Sequence, residues 1–172
     1  ISSFLLKEDG SLDKLVQNLE IKTPQKGFAP HCVIPSPDNK YLFVADIGGG
    51  RICRVNFNED DGTMIYDGDI SSNNFNGPRH MIFGPEGKFL YLLNQMGGAV
   101  TVFKYESQDG HLQEIQHISC LAKNFQGNNH SAEIAIHPSG DFLYCTNRGP
   151  DNICLFKRDK GNGTLKIIET VS

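Results

Sequence analysis

Five side chains scattered along this sequence could together bind and transform a small anion: His31, Arg79, His80, Glu133 and Arg148. Arginine presents a rigid fork that binds a carboxylate or a phosphate in bidentate fashion and can stabilise an oxyanion as it forms. Histidine can exchange a proton near neutral pH, and a glutamate can act as a base on water. These groups are sufficient to bind an oxygen-rich anion and to open or close a lactone.

Three amide side chains accompany these groups and are candidates for orienting the substrate: Asn94, Gln95 and Asn147. Their separations along the chain are so large that only the fold can bring them to one place. Repeated structural units of the chain must bring these residues together.

The sequence repeats itself with a period near 50 residues. Segments 36–46, 84–94 and 137–147 align, with Pro37, Pro85 and Pro138 separated by 48 and then 53 residues. A second set of equivalent positions, each Gly followed by Ser, Thr or His, confirms the period: Gly10, Gly62, Gly110 and Gly163. A period of this length built from short strands predicts a β-propeller.

Each unit is expected to be a blade of four antiparallel strands, A to D from the axis outward, within an all-β fold. We expect one partial blade at residues 1–21, and blades at about 28–70, 77–118 and 130–170. The chain is thus a single partial domain of about three to three and a half blades. Since an open arc leaves apolar blade faces uncovered, we expect missing blades or a second copy to close it.

The geometry of strands A and B predicts where the polar groups meet. Because the two strands are antiparallel, the start of A lies beside the end of B. Nine polar residues occupy these positions and are expected at one mouth of the central channel: His31, Asp46, Arg79, His80, Asn94, Gln95, Glu133, Asn147 and Arg148.

Structural roles compete with this interpretation. Arg79 could simply pair with Glu133 across two blades, and His80 could point into its own blade. The Asx residues that end strand B, Asp46, Asn94 and Asn147, could be turn-formers. We assign no role to His117, His130 or His137. The separations of His31, His80 and His130 could fit a metal, but no fourth ligand is evident, so we predict neither a metal nor a cofactor.

Composition excludes several classes of partner. A net charge of −4 argues against a nucleic-acid surface, and no apolar run reaches the roughly 18 residues of a membrane span. The five cysteines form no Cys-x-x-Cys pair, and Cys53 and Cys154 recur at one repeat position, as small core residues do. Reduced thiols and a cytoplasmic location are therefore expected.

Several short segments resemble the lactonase family of seven-bladed propellers, which includes 6-phosphogluconolactonases and carboxymuconate-lactonising cyclases. They are 30–33 (Pro-His-Cys-Val), 77–80 (Gly-Pro-Arg-His), 93–96 (Leu-Asn-Gln-Met), 132–134 (Ala-Glu-Ile) and 146–153 (Thr-Asn-Arg-Gly-Pro-Asp-Asn-Ile). The resemblance covers the whole chain but about half of a full family member. It implies seven blades and a metal-free site at the channel mouth.

The resemblance also implies roles for individual residues. His31, Arg79 and Arg148 match active-site positions of the family, and Glu133 matches a motif glutamate. Gln95 departs from the pattern, because the family commonly has Glu there and Gln can serve neither as base nor as acid. The protein would then bind without turnover, or use Glu133 or His31 instead.

The sequence thus predicts a hydrolase acting on a sugar lactone such as 6-phosphogluconolactone. Arg79 and Arg148 would hold the anionic group and the oxyanion, while Glu133 or His31 activates water. One alternative is a cyclase that closes a muconate-type dicarboxylate, since two arginines suit two carboxylates equally well. Another is a non-catalytic propeller that serves as a binding platform.

Overall fold

A computed structural model describes residues 1–22 and 27–172, in which all regular structure is strand. The first two strands pair antiparallel as a half-blade, and the following twelve form three four-stranded antiparallel sheets in sequence order. The predicted all-β fold of four-stranded antiparallel blades is confirmed. Residues 12–19 could locally pass for a short helix, but Leu12–Asn18 form a strand, as their repeat position requires.

The strands follow the chain in order. The half-blade consists of β1 (Ser2–Leu6) and β2 (Leu12–Asn18). Blade 1 consists of β3 (Pro30–Pro35), β4 (Tyr41–Asp46), β5 (Arg51–Phe57) and β6 (Met64–Ile70). Blade 2 consists of β7 (Pro78–Phe83), β8 (Phe89–Asn94), β9 (Ala99–Glu106) and β10 (His111–Ser119). Blade 3 consists of β11 (His130–Ile136), β12 (Phe142–Arg148), β13 (Asn152–Arg158) and β14 (Leu165–Val171).

The core lies between blades rather than within them. On β8, Leu90 and Leu92 pack with Phe43 of blade 1, whereas Tyr91 and Leu93 pack towards blade 3. Successive side chains of a strand point to opposite faces, so β8 is hydrophobic from Phe89 to Leu93 and is buried along its whole length. Each blade therefore needs a neighbour on both sides.

The repeated glycines of the outer hairpins make close packing between blades possible. Gly110 and Gly163 have φ values of 69° and 79°, in the left-handed region that favours glycine. A Cβ added at Gly110 would overlap the ring of Tyr41 in the preceding blade, and one at Gly163 would overlap Phe89. The glycine period seen in the sequence thus marks where each hairpin lies on an aromatic ring of its neighbour.

A buried arginine joins blades 2 and 3 on the side of the A–B turns. The Arg158 side chain is 0% exposed and donates to both carboxylate oxygens of Glu86, at 2.5 and 2.7 Å. It also donates to the Tyr91 hydroxyl at 3.1 Å and to the Gly140 carbonyl at 2.7 Å. Burial alone would raise the pKa of Glu86, but the hydrogen bonds and charge of Arg158, together with a backbone hydrogen bond and the charge of Lys160, lower the pKa overall.

The Asx residue that ends each strand B ties down the loop that enters strand A. Asp46 Oδ1 accepts the Ala29 N–H at 2.8 Å, and Asn94 Oδ1 accepts the Asn76 N–H at 3.1 Å. In blade 3 the Asn147 carbonyl oxygen accepts from the Ser131 hydroxyl at 2.6 Å. All three side chains are buried. They fix the backbone just before His31, Arg79 and Glu133.

Removing the buried arginine tests the link between blades. We expect Arg158→Met to lower the free energy of unfolding by about 3–5 kcal/mol, because it leaves the Glu86 carboxylate without its partner. Lys160→Ala, which breaks an exposed ion pair with Asp141, is the matched control and should change stability little. Urea unfolding measures both, and equal midpoints for the two variants would contradict the assigned role.

Removing an Asx anchor tests how the loops are held. Asn94→Ala leaves the Asn76 N–H without its partner and removes the Nδ2 group that donates to Thr101 Oγ1 at 3.0 Å. A loss of about 1–3 kcal/mol in unfolding free energy is expected. The exposed Asn73→Ala provides the control for a loop asparagine outside the blades. Unchanged stability of Asn94→Ala would show that this anchor is dispensable.

Candidate functional site

The innermost strands β3, β7 and β11 each carry an irregularity at the same end. Their pairing with strand B shifts register between Pro30 and Cys32, between Pro78 and His80, and between Ser131 and Ile134. The residues inside these shifts are His31, Arg79 and the Ala132–Glu133 pair. A bulge turns a side chain away from the direction that regular pairing would give it. The fold thus places a site residue in the bulge of every innermost strand.

One prediction about these strands was wrong. Glu133 was expected to begin strand A of blade 3, but β11 begins at His130, which pairs with Arg148. The bulge accounts for the difference, because it inserts extra residues between the start of the strand and its regular part.

Three of the predicted residues form a chain of contacts across three blades. The His31 and His80 rings lie 5.1 Å apart between centroids, at an angle of 58°. His80 Nδ1 lies 3.0 Å from Glu133 Oε1. The side chain of His80 is 21% exposed and that of Glu133 is 60% exposed, so both reach solvent.

Arg79 extends from blade 2 to blade 3 beside this chain. Its Nη1 donates to the Ala132 carbonyl and lies 3.3 Å from His80 Nδ1. Its Nε is buried and has no hydrogen-bond partner among the described residues. Burial and the positive charge of Arg148 lower the pKa of Arg79. Arg79 and Arg148 both donate to backbone carbonyls of β11, at Ala132 and His130, so two guanidinium groups lie at the same end of this strand.

Arg148 is fixed by two contacts with neighbouring residues of the rim. Its Nε donates to the His130 carbonyl at 3.1 Å, and its Nη2 donates to Gln95 Oε1 at 3.3 Å. His130 Nδ1 lies 3.5 Å from Gln95 Nε2. No role was predicted for His130, yet it lies at the site. The available signal was its place in the repeat at the beginning of β11, equivalent to Ala29 and Gly77 in the other blades.

The site carries more positive than negative charge. Burial and Arg79 lower the pKa of His31, which is therefore neutral at neutral pH. Burial would raise the pKa of Glu133, but hydrogen bonds from the Ile134 backbone and from His80 outweigh it and lower the pKa. The site thus contains one carboxylate and two guanidinium groups, an imbalance that favours binding of an anion.

The structure brings together six of the eight predicted site residues: His31, Arg79, His80, Gln95, Glu133 and Arg148. Asn94 and Asn147 instead lie buried behind the rim, where their amides hold loops and strand ends. Their backbone position at the strand end is as predicted, but their side chains point into the blades. Among the residues that the structure describes, no group of three His, Cys, Asp or Glu side chains is arranged to hold a metal ion.

Two further histidines lie away from the site. His117 Nδ1 contacts the Thr101 hydroxyl at 3.0 Å on the outer part of blade 2, and His137 contacts Ser139 in an A–B turn. Neither lies near the rim. Within 1–22 and 27–172, no helix is long and apolar enough to cross a membrane.

Comparison with known proteins places this geometry in a family. Residues 1–172 match the family model described as "Lactonase, 7-bladed beta-propeller". A 6-phosphogluconolactonase of Bacillus subtilis is 29% identical over 174 residues, which cover 98% of this chain and 49% of that protein. An uncharacterised protein of Staphylococcus saprophyticus is 31% identical over 170 residues, or 95% of this chain and 48% of its own length.

Solved structures agree with the sequence comparison. The periplasmic gluconolactonase of Pseudomonas aeruginosa superposes with a TM-score of 0.88 at 29% identity, covering 99% of this chain and 50% of that one. A protein from Lactobacillus plantarum superposes with a TM-score of 0.87 at 26% identity, covering 99% and 50%. The chain spans about half the length of the curated relatives that it matches. It belongs to the lactonase family of seven-bladed β-propellers.

Proposed function

We propose that the protein containing this chain hydrolyses a sugar lactone such as 6-phosphogluconolactone. The observation that carries the proposal is the pair of guanidinium groups, Arg79 and Arg148, beside the contact between His80 and Glu133. The relatives described as 6-phosphogluconolactonase and gluconolactonase support the same class of substrate.

The reaction requires a nucleophilic water, a base and a stabilised oxyanion. The water oxygen bonds to the lactone carbonyl carbon, and the base takes the proton that the water loses. The negative charge that develops on the carbonyl oxygen lies next to an arginine fork, which donates to it more strongly than to the neutral carbonyl. The ring C–O bond then breaks, and the same proton returns to the departing alkoxide. No step needs a metal or another cofactor.

Arg79 and Arg148 together bind the anionic group of the substrate and the oxyanion that forms during the reaction. Arg148 uses Nε and Nη2 within the protein and retains other N–H groups for a ligand. Gln95 holds Arg148 without adding a negative charge, so the guanidinium remains electrostatically available. A closed ring, formed with further blades or a second copy, and a reducing cytoplasmic setting are parts of the proposal. Five free cysteines support the reducing setting.

Arginine variants test this assignment directly. We expect Arg79→Ala and Arg148→Ala each to lower kcat/KM for 6-phosphogluconolactone by about 10²–10³-fold, because each removes a donor to developing charge. Arg148→Lys keeps the charge but loses the fork, and should recover only part of the activity. Arg54→Ala, which removes an arginine on the outer strands, is the control. Rates are corrected for spontaneous hydrolysis; wild-type rates for both alanine variants would refute the proposal.

A ligand screen separates the proposed substrate class from the alternatives. The melting temperature should rise with 6-phosphogluconate and less with gluconate, since stabilisation follows ligand concentration relative to affinity. The difference between the melting-temperature shifts with 6-phosphogluconate and with gluconate should be smaller in Arg148→Ala. A shift with cis,cis-muconate alone would favour the cyclase, and failure of every anion to shift melting would favour the binding platform.

A further inference from the structure

We propose that His80 is the base that takes the proton from water and that Glu133 is the residue that positions it. This assignment rests on the proposed lactone hydrolysis. It differs from the sequence prediction, which gave the base role to Glu133 or His31 and placed His80 among the substrate-binding residues.

The first argument is how firmly Glu133 is held. Its Oε1 accepts the N–H of Ile134 at 2.9 Å, and its own backbone N–H donates to Thr146 Oγ1 at 3.0 Å. The same Oε1 lies 3.0 Å from His80 Nδ1. A carboxylate that is fixed on the backbone in this way can hold an imidazole ring in one orientation, although more than half of the side chain is exposed.

The second argument concerns which ring nitrogen carries the proton. An ionised carboxylate only accepts hydrogen bonds, so its contact with Nδ1 requires a proton there. Arg79 Nη1 also lies near Nδ1, at 3.3 Å, but it only donates and already bonds the Ala132 carbonyl. The contact with Glu133 is the shorter one and sets the tautomer. Nε2 is then unprotonated and directed away from Glu133, as a base requires.

The third argument is the charge around the ring. The titratable and charged groups in contact with His80 are His31 on β3, Arg79 on its own strand and Glu133 on β11. The positive charge of Arg148 on β12 acts on the adjacent His31, whose pKa burial, Arg79 and Arg148 together lower. A lowered pKa makes Glu133 a weak base at neutral pH but keeps it ionised. As an anion it stabilises the imidazolium that forms when Nε2 takes a proton, which offsets repulsion from the arginines.

The proton balance of the step is simple. Nε2 takes one proton from water as the water oxygen bonds to the lactone carbonyl carbon. The imidazolium then gives that proton to the ring oxygen when the C–O bond breaks. Glu133 remains a carboxylate throughout, and His80 ends neutral with its proton on Nδ1.

Paired variants separate a positioning carboxylate from a catalytic one. In Glu133→Gln the amide oxygen still accepts from Nδ1–H and keeps the ring oriented, but the charge that stabilises the imidazolium is lost, so we expect kcat to fall by about tenfold. In Glu133→Ala the orientation is lost, and a fall of about 10²-fold or more is expected. His80→Asn keeps a donor towards Glu133 but has no Nε2, and should lose about 10²–10⁴-fold. His111→Asn on the outer hairpin of blade 2 is the control.

The pH profile and the tautomer give readouts that a purely structural role would not change. The fall of kcat/KM on the acid side should be present in wild type and Glu133→Gln and absent from the residual activity of His80→Asn. Nitrogen-15 NMR of the histidine rings should show the Nδ1–H tautomer of His80 in wild type and Glu133→Gln, but not in Glu133→Ala.

Each result supports or overturns the assignment. If Glu133→Gln is as inactive as Glu133→Ala, the glutamate is the base and the proposal is wrong. An Nε2–H tautomer of His80 in wild type would overturn it whatever the activity. If wild type hydrolyses lactones and His80→Asn does so equally well, this inference fails alone. If wild type hydrolyses none, the proposed function fails with it.

Discussion

The apolar faces of the blades are the constraint on which the rest of the structure depends. Each sheet is buried on both sides only because another sheet lies against it, as the alternation along β8 illustrates. This arrangement brings the innermost strands of successive blades together, and with them the polar residues at their ends. Residues about 50 positions apart in sequence thus become neighbours through burial of hydrocarbon far from the chemistry. Packing of the blades thus assembles the site from residues that are distant in sequence.

The bulges in the innermost strands resolve a conflict that this packing creates. A regular strand would send alternate side chains into the two interfaces between blades, where a charged group is costly to bury. A shift in register at the end of strand A releases one or two residues from this alternation. His31, Arg79 and Glu133 occupy those positions, so they can face the rim while their neighbours Cys32 and Ile134 pack into the apolar layers.

Much of this architecture could be predicted from the sequence, because the signals are repeated. Equivalent prolines and glycines fixed the period, and antiparallel pairing of strands A and B then predicted which polar residues would share one rim. What could not be predicted were the directions of single side chains. Asn94 and Gln95 are adjacent and equally polar, yet one is buried and the other lies in the site. The bulge in β11 carries no signal in composition or spacing, and the repeat position of His130 holds Ala29 and Gly77 in the other blades, so the repeat does not mark it as polar.

The contrast between Asn94 and Gln95 follows from what each position must do. The last residue of strand B lies beside the loop that enters strand A, where backbone N–H groups would otherwise be buried without partners. The short side chains of Asp46 and Asn94 reach them in blades 1 and 2, and in blade 3 Asn147 accepts from the Ser131 hydroxyl instead. The next residue is not bound by that requirement, whether it lies beyond the strand, as in blade 2, or is the last residue of the strand, as in blade 3. It is Gln95 in blade 2 and Arg148 in blade 3, and these two side chains contact each other across the blades. One position is therefore restricted to Asp or Asn by the fold, whereas the next position along the chain is free to carry a side chain that contacts a ligand.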